Sequence, residues 1–152
     1  MDLNGCTASD TASFIVLPNP VIDLGADTTI CAGNTVPLDA TWPDADAYLW
    51  QNGTTSATSA AASTGTYWVD VTENGCTTRD SIAVVIAPLP TVDLGPDQQR
   101  CAGEVVILDA AYPGATYRWQ DGTSASSFAV TGSGSLDVTV DLNGCIAQDT
   151  IT

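Results

Sequence analysis

Five cysteines and no histidine set the chemistry open to this chain: Cys6, Cys31, Cys76, Cys101 and Cys145. Thiolates bind zinc, but structural zinc sites draw their four ligands from Cys-x-x-Cys pairs or from cysteine with histidine. Neither is present, so no metal site of that kind is expected. Histidine is also the usual base beside a serine or cysteine nucleophile. The carboxylates are scattered through strand and turn text, with nothing to suggest two held face to face as a glycosidase needs. No catalytic residue emerges, and the chain is not expected to be an enzyme.

The elements that position these cysteines repeat. Asn-Gly-Cys occurs at Asn4-Gly5-Cys6, Asn74-Gly75-Cys76 and Asn143-Gly144-Cys145, in steps of 70 and 69 residues. Cys31 and Cys101 also lie 70 residues apart, each inside nearly identical text, Ile22-Asp23-Leu24-Gly25 to Cys31-Ala32-Gly33 and Val92-Asp93-Leu94-Gly95 to Cys101-Ala102-Gly103. Self-similarity at a fixed period marks an array of modules. We divide the chain into 1–19, the last strand of a preceding repeat plus a linker; 20–89, one repeat; and 90–152, a second repeat with its last strand shortened. Met1 precedes text that matches the middle of a repeat, so the chain is expected to be a fragment of a longer array. Modules of about 70 residues sit near the size at which one core is marginal and covalent staples become common.

Charge narrows the partners. Eighteen acidic residues face three arginines, for a net charge of −15. Nucleic acid and anionic membrane surfaces both call for the opposite sign. No apolar run is long enough to span a bilayer and no N-terminal signal is visible, so membrane insertion is not expected.

The hydrophobic pattern alternates with period two, and no helix is expected. Strands are predicted near 21–24, 28–31, 35–40, 47–51, 55–62, 66–72 and 78–86, with the second repeat following at the same offsets from 91–94 to 146–152. A further strand is expected to end at Ala12-Ser13-Phe14-Ile15-Val16. In 66–72 the alternation puts Tyr67, Val69 and Val71 on one face and Trp68 on the other; Leu136, Val138 and Val140 match the first set. Each Asn-Gly tolerates positive φ and predicts a hairpin between the last two strands of a repeat. Pro18 with Pro20, and Pro88 with Pro90, mark stiff extended linkers. Short strands at this spacing predict an antiparallel β-sandwich.

The texts Leu38-Asp39-Ala40, Tyr48-Leu49-Trp50, Gly65-Thr66-Tyr67-Trp68-Val69, Leu108-Asp109-Ala110 and Tyr117-Arg118-Trp119 carry a family pattern. With the cysteine landmarks it resembles the immunoglobulin-like and PKD-like tandem repeats of large Bacteroidota cell-surface proteins exported by type IX secretion, including gliding adhesins and surface fibres. The resemblance covers essentially the whole chain and departs at Gly134-Ser135-Leu136, where Leu replaces the family's Tyr. It implies an all-β fold of tandem immunoglobulin-like sandwiches, an extracellular cell-surface location, and a role in adhesion. In such a sandwich Trp50 and Trp119, with Tyr48, Tyr117 and Tyr67, are core residues. Disulfides are natural in an exported protein. The expected pairing is within repeats, Cys31–Cys76 and Cys101–Cys145, with Cys6 unpaired. Immunoglobulin topology raises an alternative, Cys31 with Cys145 across the repeat junction. The Asp-Ser/Thr-apolar texts at Asp10, Asp80 and Asp149 resemble a Bacteroidota O-glycosylation pattern and nominate Thr11, Ser81 and Thr150.

Two further features have a functional and a plain reading. Asp23, Asp27, Asp93 and Asp97 cluster at the junctions and could hold calcium, although turn-forming and solubilising aspartate accounts for them and no cofactor is expected. Trp68, Trp42 and Tyr112 are contact candidates for surface glycans of other cells. The expected function is a stiff, disulfide-stapled structural spacer whose partners are neighbouring repeats and other copies in a filament; the alternative is a glycan-binding module.

Overall fold

The computed structural model describes residues 9–101 and 103–152, and Cys6 lies outside them. The described residues hold eleven strands and no helix. Over the first repeat's text these are β1 (Thr28–Cys31), β2 (Val36–Asp39), β3 (Ala47–Trp50), β4 (Thr58–Ala61), β5 (Gly65–Glu73) and β6 (Cys76–Ala87). Over the second they are β7 (Val106–Asp109), β8 (Thr116–Trp119), β9 (Ser127–Val130), β10 (Leu136–Leu142) and β11 (Cys145–Ile151). The sheets run β1-β6-β5-β3 with β2-β4, and β11-β10-β8 with β7-β9. The second set copies the first except that β1 has no counterpart among the described residues.

By contact density the chain gathers into two compact units. One takes the chain up to Leu24 with Asp39–Ser59 and Trp68–Ser81; the other takes Gly25–Leu38, Ala60–Tyr67 and Ile82–Thr152. In the first unit β3 pairs antiparallel with β5, setting Trp50 opposite Val69 and Tyr48 opposite Val71. Alternation turns Trp50, Val69 and Val71 inward. Trp50 is 1% exposed, and its indole N–H donates to the Ser56 carbonyl at 2.8 Å, which satisfies the ring's one donor.

In the second unit β1 runs parallel to the far half of β6, with Thr28 beside Val84 and Cys31 beside Ala87. Sheet β7-β9 closes over sheet β11-β10-β8 around Leu94, Leu108, Ala110, Trp119, Val138, Val140 and Ile151. Trp119 repeats the arrangement of Trp50: its indole N–H donates to the Ala125 carbonyl at 2.9 Å, and Phe128 packs on it with ring centres 5.0 Å apart.

The hairpins form where Asn-Gly predicts them. Asn74 and Gly75 have φ of 48° and 80°, and Asn143 and Gly144 have 54° and 89°. Positive φ at both central positions is what a two-residue type I′ turn requires, and its twist matches the flanking strands.

Three expectations need correction. Residues 21–24 and 91–94 form no strands. The Leu24 N–H goes instead to the Asp80 carboxylate and the Leu94 N–H to that of Asp149, both at 2.6 Å, so a side chain does what a neighbouring strand would have done. Residues 12–16 also form no strand, with no pairing partner among the described residues, and Phe14, Ile15 and Val16 are exposed. In the proline pairs Pro20 and Pro90 are buried, which anchors each linker at its second proline.

Candidate functional site

The covalent feature is one disulfide. Cys31 bonds Cys145, with Cα atoms 5.4 Å apart and a sequence separation of 114. Cys31 is the last residue of β1, where the chain turns through Gly33 and the Asn34 N–H returns to the Cys31 carbonyl at 3.1 Å. Cys145 opens β11 directly after the Asn143-Gly144 turn. That turn is braced by the Gly144 N–H donating to Asp141 at 2.6 Å.

The within-repeat pairing is therefore corrected: Cys31–Cys76 and Cys101–Cys145 do not form, and Cys76 and Cys101 are free thiols. The reason is strand direction. Cys31 lies beside Ala87, at the end of β6, whereas Cys76 opens the same twelve-residue strand. At about 3.3 Å per residue the two are roughly 35 Å apart, against the roughly 7 Å limit between Cα atoms of a disulfide. Cys101 stands to Cys145 in the same relation, since Gln98, three residues before it, already meets Thr152 at the far end of β11.

The calcium candidates serve the backbone. Asp27 accepts the Ala83 N–H at 2.8 Å and Asp97 the Thr152 N–H at 2.8 Å. Asp93 accepts the Gly95 N–H at 2.8 Å, and Asp23 is engaged as well. Among the described residues no three ligating side chains converge.

Asp80 and Asp149 are the functional residues that sequence reasoning missed, having entered only as the first letter of a modification pattern. Their recurrence 69 residues apart is the signal that could have found them. Asp149→Ala should strand the half-buried Leu94 N–H and cost about 1–3 kcal/mol, read as a lower urea midpoint at unchanged slope.

Thr11, Ser81 and Thr150, which follow Asp10, Asp80 and Asp149, are all exposed.

The contact candidates have internal partners. Arg79 lies over the Trp68 ring at 3.7 Å and grips Asp70 through Nε and Nη2 at 2.7 and 2.6 Å. Trp68 thus lies across its own sheet under a guanidinium held by a second residue. The Trp42 indole N–H donates to Glu73 at 2.7 Å. Tyr48 and Tyr117, expected in the core, are half-buried and clamp the next loop: each hydroxyl takes a backbone N–H and returns its own proton to the same residue's carbonyl, Trp42 in one case and Tyr112 in the other. Tyr67 reaches back to Ser63 in the same way, and Leu136 in its place in the second repeat makes no such bond.

Three carboxyls are held below the ordinary aspartate value of 3.8: Asp39 by hydrogen bonds from Thr41, Asp70 by those from Arg79, and Asp121 by those from Thr123. A folded value below the unfolded one adds stability above about pH 4 and loses it as the pH falls through the folded value. The wild-type advantage over Asp121→Asn in thermal melts should be full at pH 7 and disappear in acid. An advantage that grows in acid contradicts this assignment.

A buried tryptophan at the end of β3 and another at the end of β8, with a tyrosine hydroxyl tying β5 back to the corner at Ser63, decide the architecture. The fold is an immunoglobulin-like β-sandwich. No protein-family model matches the chain, and comparison with curated proteins finds no match. Solved structures do resemble it. Extracellular domains 3–5 of Drosophila OTK share 10% identity at a TM-score of 0.46, covering 83% of this chain and 58% of that one. Titin domains Z1Z2 in complex with telethonin share 13% at 0.34, covering 83% and 90%. Dpr2 Ig1-Ig2 in complex with DIP-Theta Ig1-Ig3 shares 12% at 0.32, covering 84% and 60%. The chain therefore spans less than two thirds of the OTK and Dpr2 chains.

Proposed function

We propose that this chain is an extracellular structural module of a large cell-surface adhesin or filament, a spacer whose successive repeats are stapled by oxidised sulfur. The observation that supports it is the Cys31–Cys145 bond, which joins one repeat to the next. A bond of this kind persists in oxidising surroundings outside the cytosol. The aspartates and large aromatics bear on the same reading, because they hold backbone and neighbouring side chains in place. In an array each unit needs only its neighbours, so length accumulates by repetition. No catalytic role is assigned, and no helix among the described residues is long and apolar enough to cross a membrane.

Pulling a single molecule by its ends tests the spacer role. With the bond intact, the 114-residue span between the cysteines cannot extend. Reductant should add roughly 400 Å of contour length, at about 3.3–3.6 Å per residue. Equal extension with and without reductant defeats the reading.

A further inference from the structure

Two hairpins of this chain share one turn text and are braced from different sides. Asn74-Gly75 and Asn143-Gly144 all hold positive φ, and all four residues are exposed. In the second hairpin the Gly144 N–H donates to the Asp141 carboxylate at 2.6 Å. In the first, Thr72 stands in the place of Asp141, and its hydroxyl is engaged with that of Thr77 at 2.9 Å. The acid that braces this turn is Asp46, which takes the N–H of Asn74, also at 2.6 Å. Its counterpart in the second repeat is Ala115. One carboxylate therefore holds the asparagine nitrogen and the other the glycine nitrogen. Nothing among the described residues accepts the Gly75 N–H.

The difference falls on the atom that matters chemically. In an Asn-Gly pair the glycine nitrogen is a nucleophile placed next to the asparagine side-chain amide, and glycine has no Cβ to obstruct its approach. To reach that amide the nitrogen must first swing out of the turn. The bond to Asp141 opposes the movement, and a negative charge beside the N–H also opposes loss of its proton. A third pair, Asn52-Gly53, is closed at both groups. The Gly53 N–H donates to the Trp50 carbonyl at 2.8 Å, and the Asn52 side-chain oxygen holds the Thr54 N–H and hydroxyl at 3.0 and 2.8 Å.

We propose that Asn74 is a site of spontaneous covalent modification, converting to isoaspartate and aspartate through a cyclic imide formed with Gly75, while Asn143 and Asn52 are held back. This lies beyond the spacer reading and does not depend on it. The Gly75 nitrogen gives its proton to hydroxide and bonds to Asn74 Cγ. The Cγ–Nδ2 bond breaks, and the amide nitrogen takes a proton from water and leaves as ammonia. Water then opens the five-membered imide. Attack at Cγ gives aspartate; attack at the main-chain carbonyl leaves the peptide running through the side chain, as isoaspartate. One water is consumed for each ammonia released, and nothing is oxidised or reduced. The isoaspartyl form carries an extra carbon in the main chain at a turn that two residues must close, and its new carboxylate lies near Asp46. The first hairpin thus loosens with age, while the turn that leads into Cys145 is preserved.

The native chain, aged in mildly alkaline buffer and cut into peptides, should show by mass spectrometry conversion at Asn74 at least about ten-fold faster than at Asn143 or Asn52. An isoaspartyl methyltransferase with a labelled methyl donor should mark the Asn74 peptide. Asp141→Thr should raise the rate at Asn143, and Thr72→Asp should lower that at Asn74. Melting curves run alongside identify a swap that has lost its fold, and the other swap then carries the comparison. In guanidinium the three pairs should react at comparable rates, because each asparagine is followed by glycine and the turns are gone. Equal rates at Asn74 and Asn143 in the native chain, a difference that survives in guanidinium, or an Asn143 indifferent to a folded Asp141→Thr variant would overturn the proposal.

Discussion

Breaking the Cys31–Cys145 bond should lower stability by about 4–5 kcal/mol, the largest effect expected of any single covalent change here. In the chain-entropy account a cross-link stabilises by restricting the unfolded ensemble, and the restriction grows with the logarithm of the loop it closes. A loop set by a separation of 114 residues lies at the strong end of that scale. Within-repeat bonds closing about 45 residues would each have been worth roughly 3–4 kcal/mol. Cys145 is buried, so Cys145→Ser would add the cost of a buried hydroxyl to the loss of the bond. Cys31→Ser, at a half-buried position, is the cleaner variant. Guanidinium titrations of wild type, Cys31→Ser and reduced wild type should place the last two together and well below the first. Coincidence of all three would mean that the bond restrains nothing the fold does not already hold.

The second large effect is expected at Trp119. Its ring fills the centre of the core among Leu108, Val138, Val140 and Ile151 and is 1% exposed. Trp119→Ala removes that volume from between two sheets tied by their own ladders, so the cavity collapses only in part and the loss should be about 3–5 kcal/mol. Trp119→Phe keeps most of the apolar volume and deletes the donor to Ala125. It isolates the loss of one part-buried hydrogen bond, about 0.5–1.5 kcal/mol. A smaller loss for Ala than for Phe would show that the indole is not a core residue.

Much of this was legible in the residue order because it is local. Alternation placed Val69, Val71, Val138 and Val140 inward, and each side chain's face follows from its parity along the strand. Asn-Gly needs only its own backbone freedom to make a type I′ turn, and both turns formed. The strand expected at 21–24 failed because the competing partner, the Asp80 carboxylate, lies 56 residues away, and nothing in the apolar text announces it. Trp68 divided the readings for the same reason. Its ring is covered by Arg79, which is anchored in turn by Asp70, and the hairpin register brings these three together.

The residue order alone determined the all-β class and the hairpins, which depend on neighbours a few positions away, and the seventy-residue period, which the repeated text shows directly. Only the tertiary structure decided which sulfurs meet. A disulfide answers to a few ångströms between Cα atoms, and that distance was set by β1 lying parallel to the far half of β6. Alternation reads the same whichever way a strand runs, so the residue order left Cys31–Cys145 as the second of two pairings, and the folded chain decided for it.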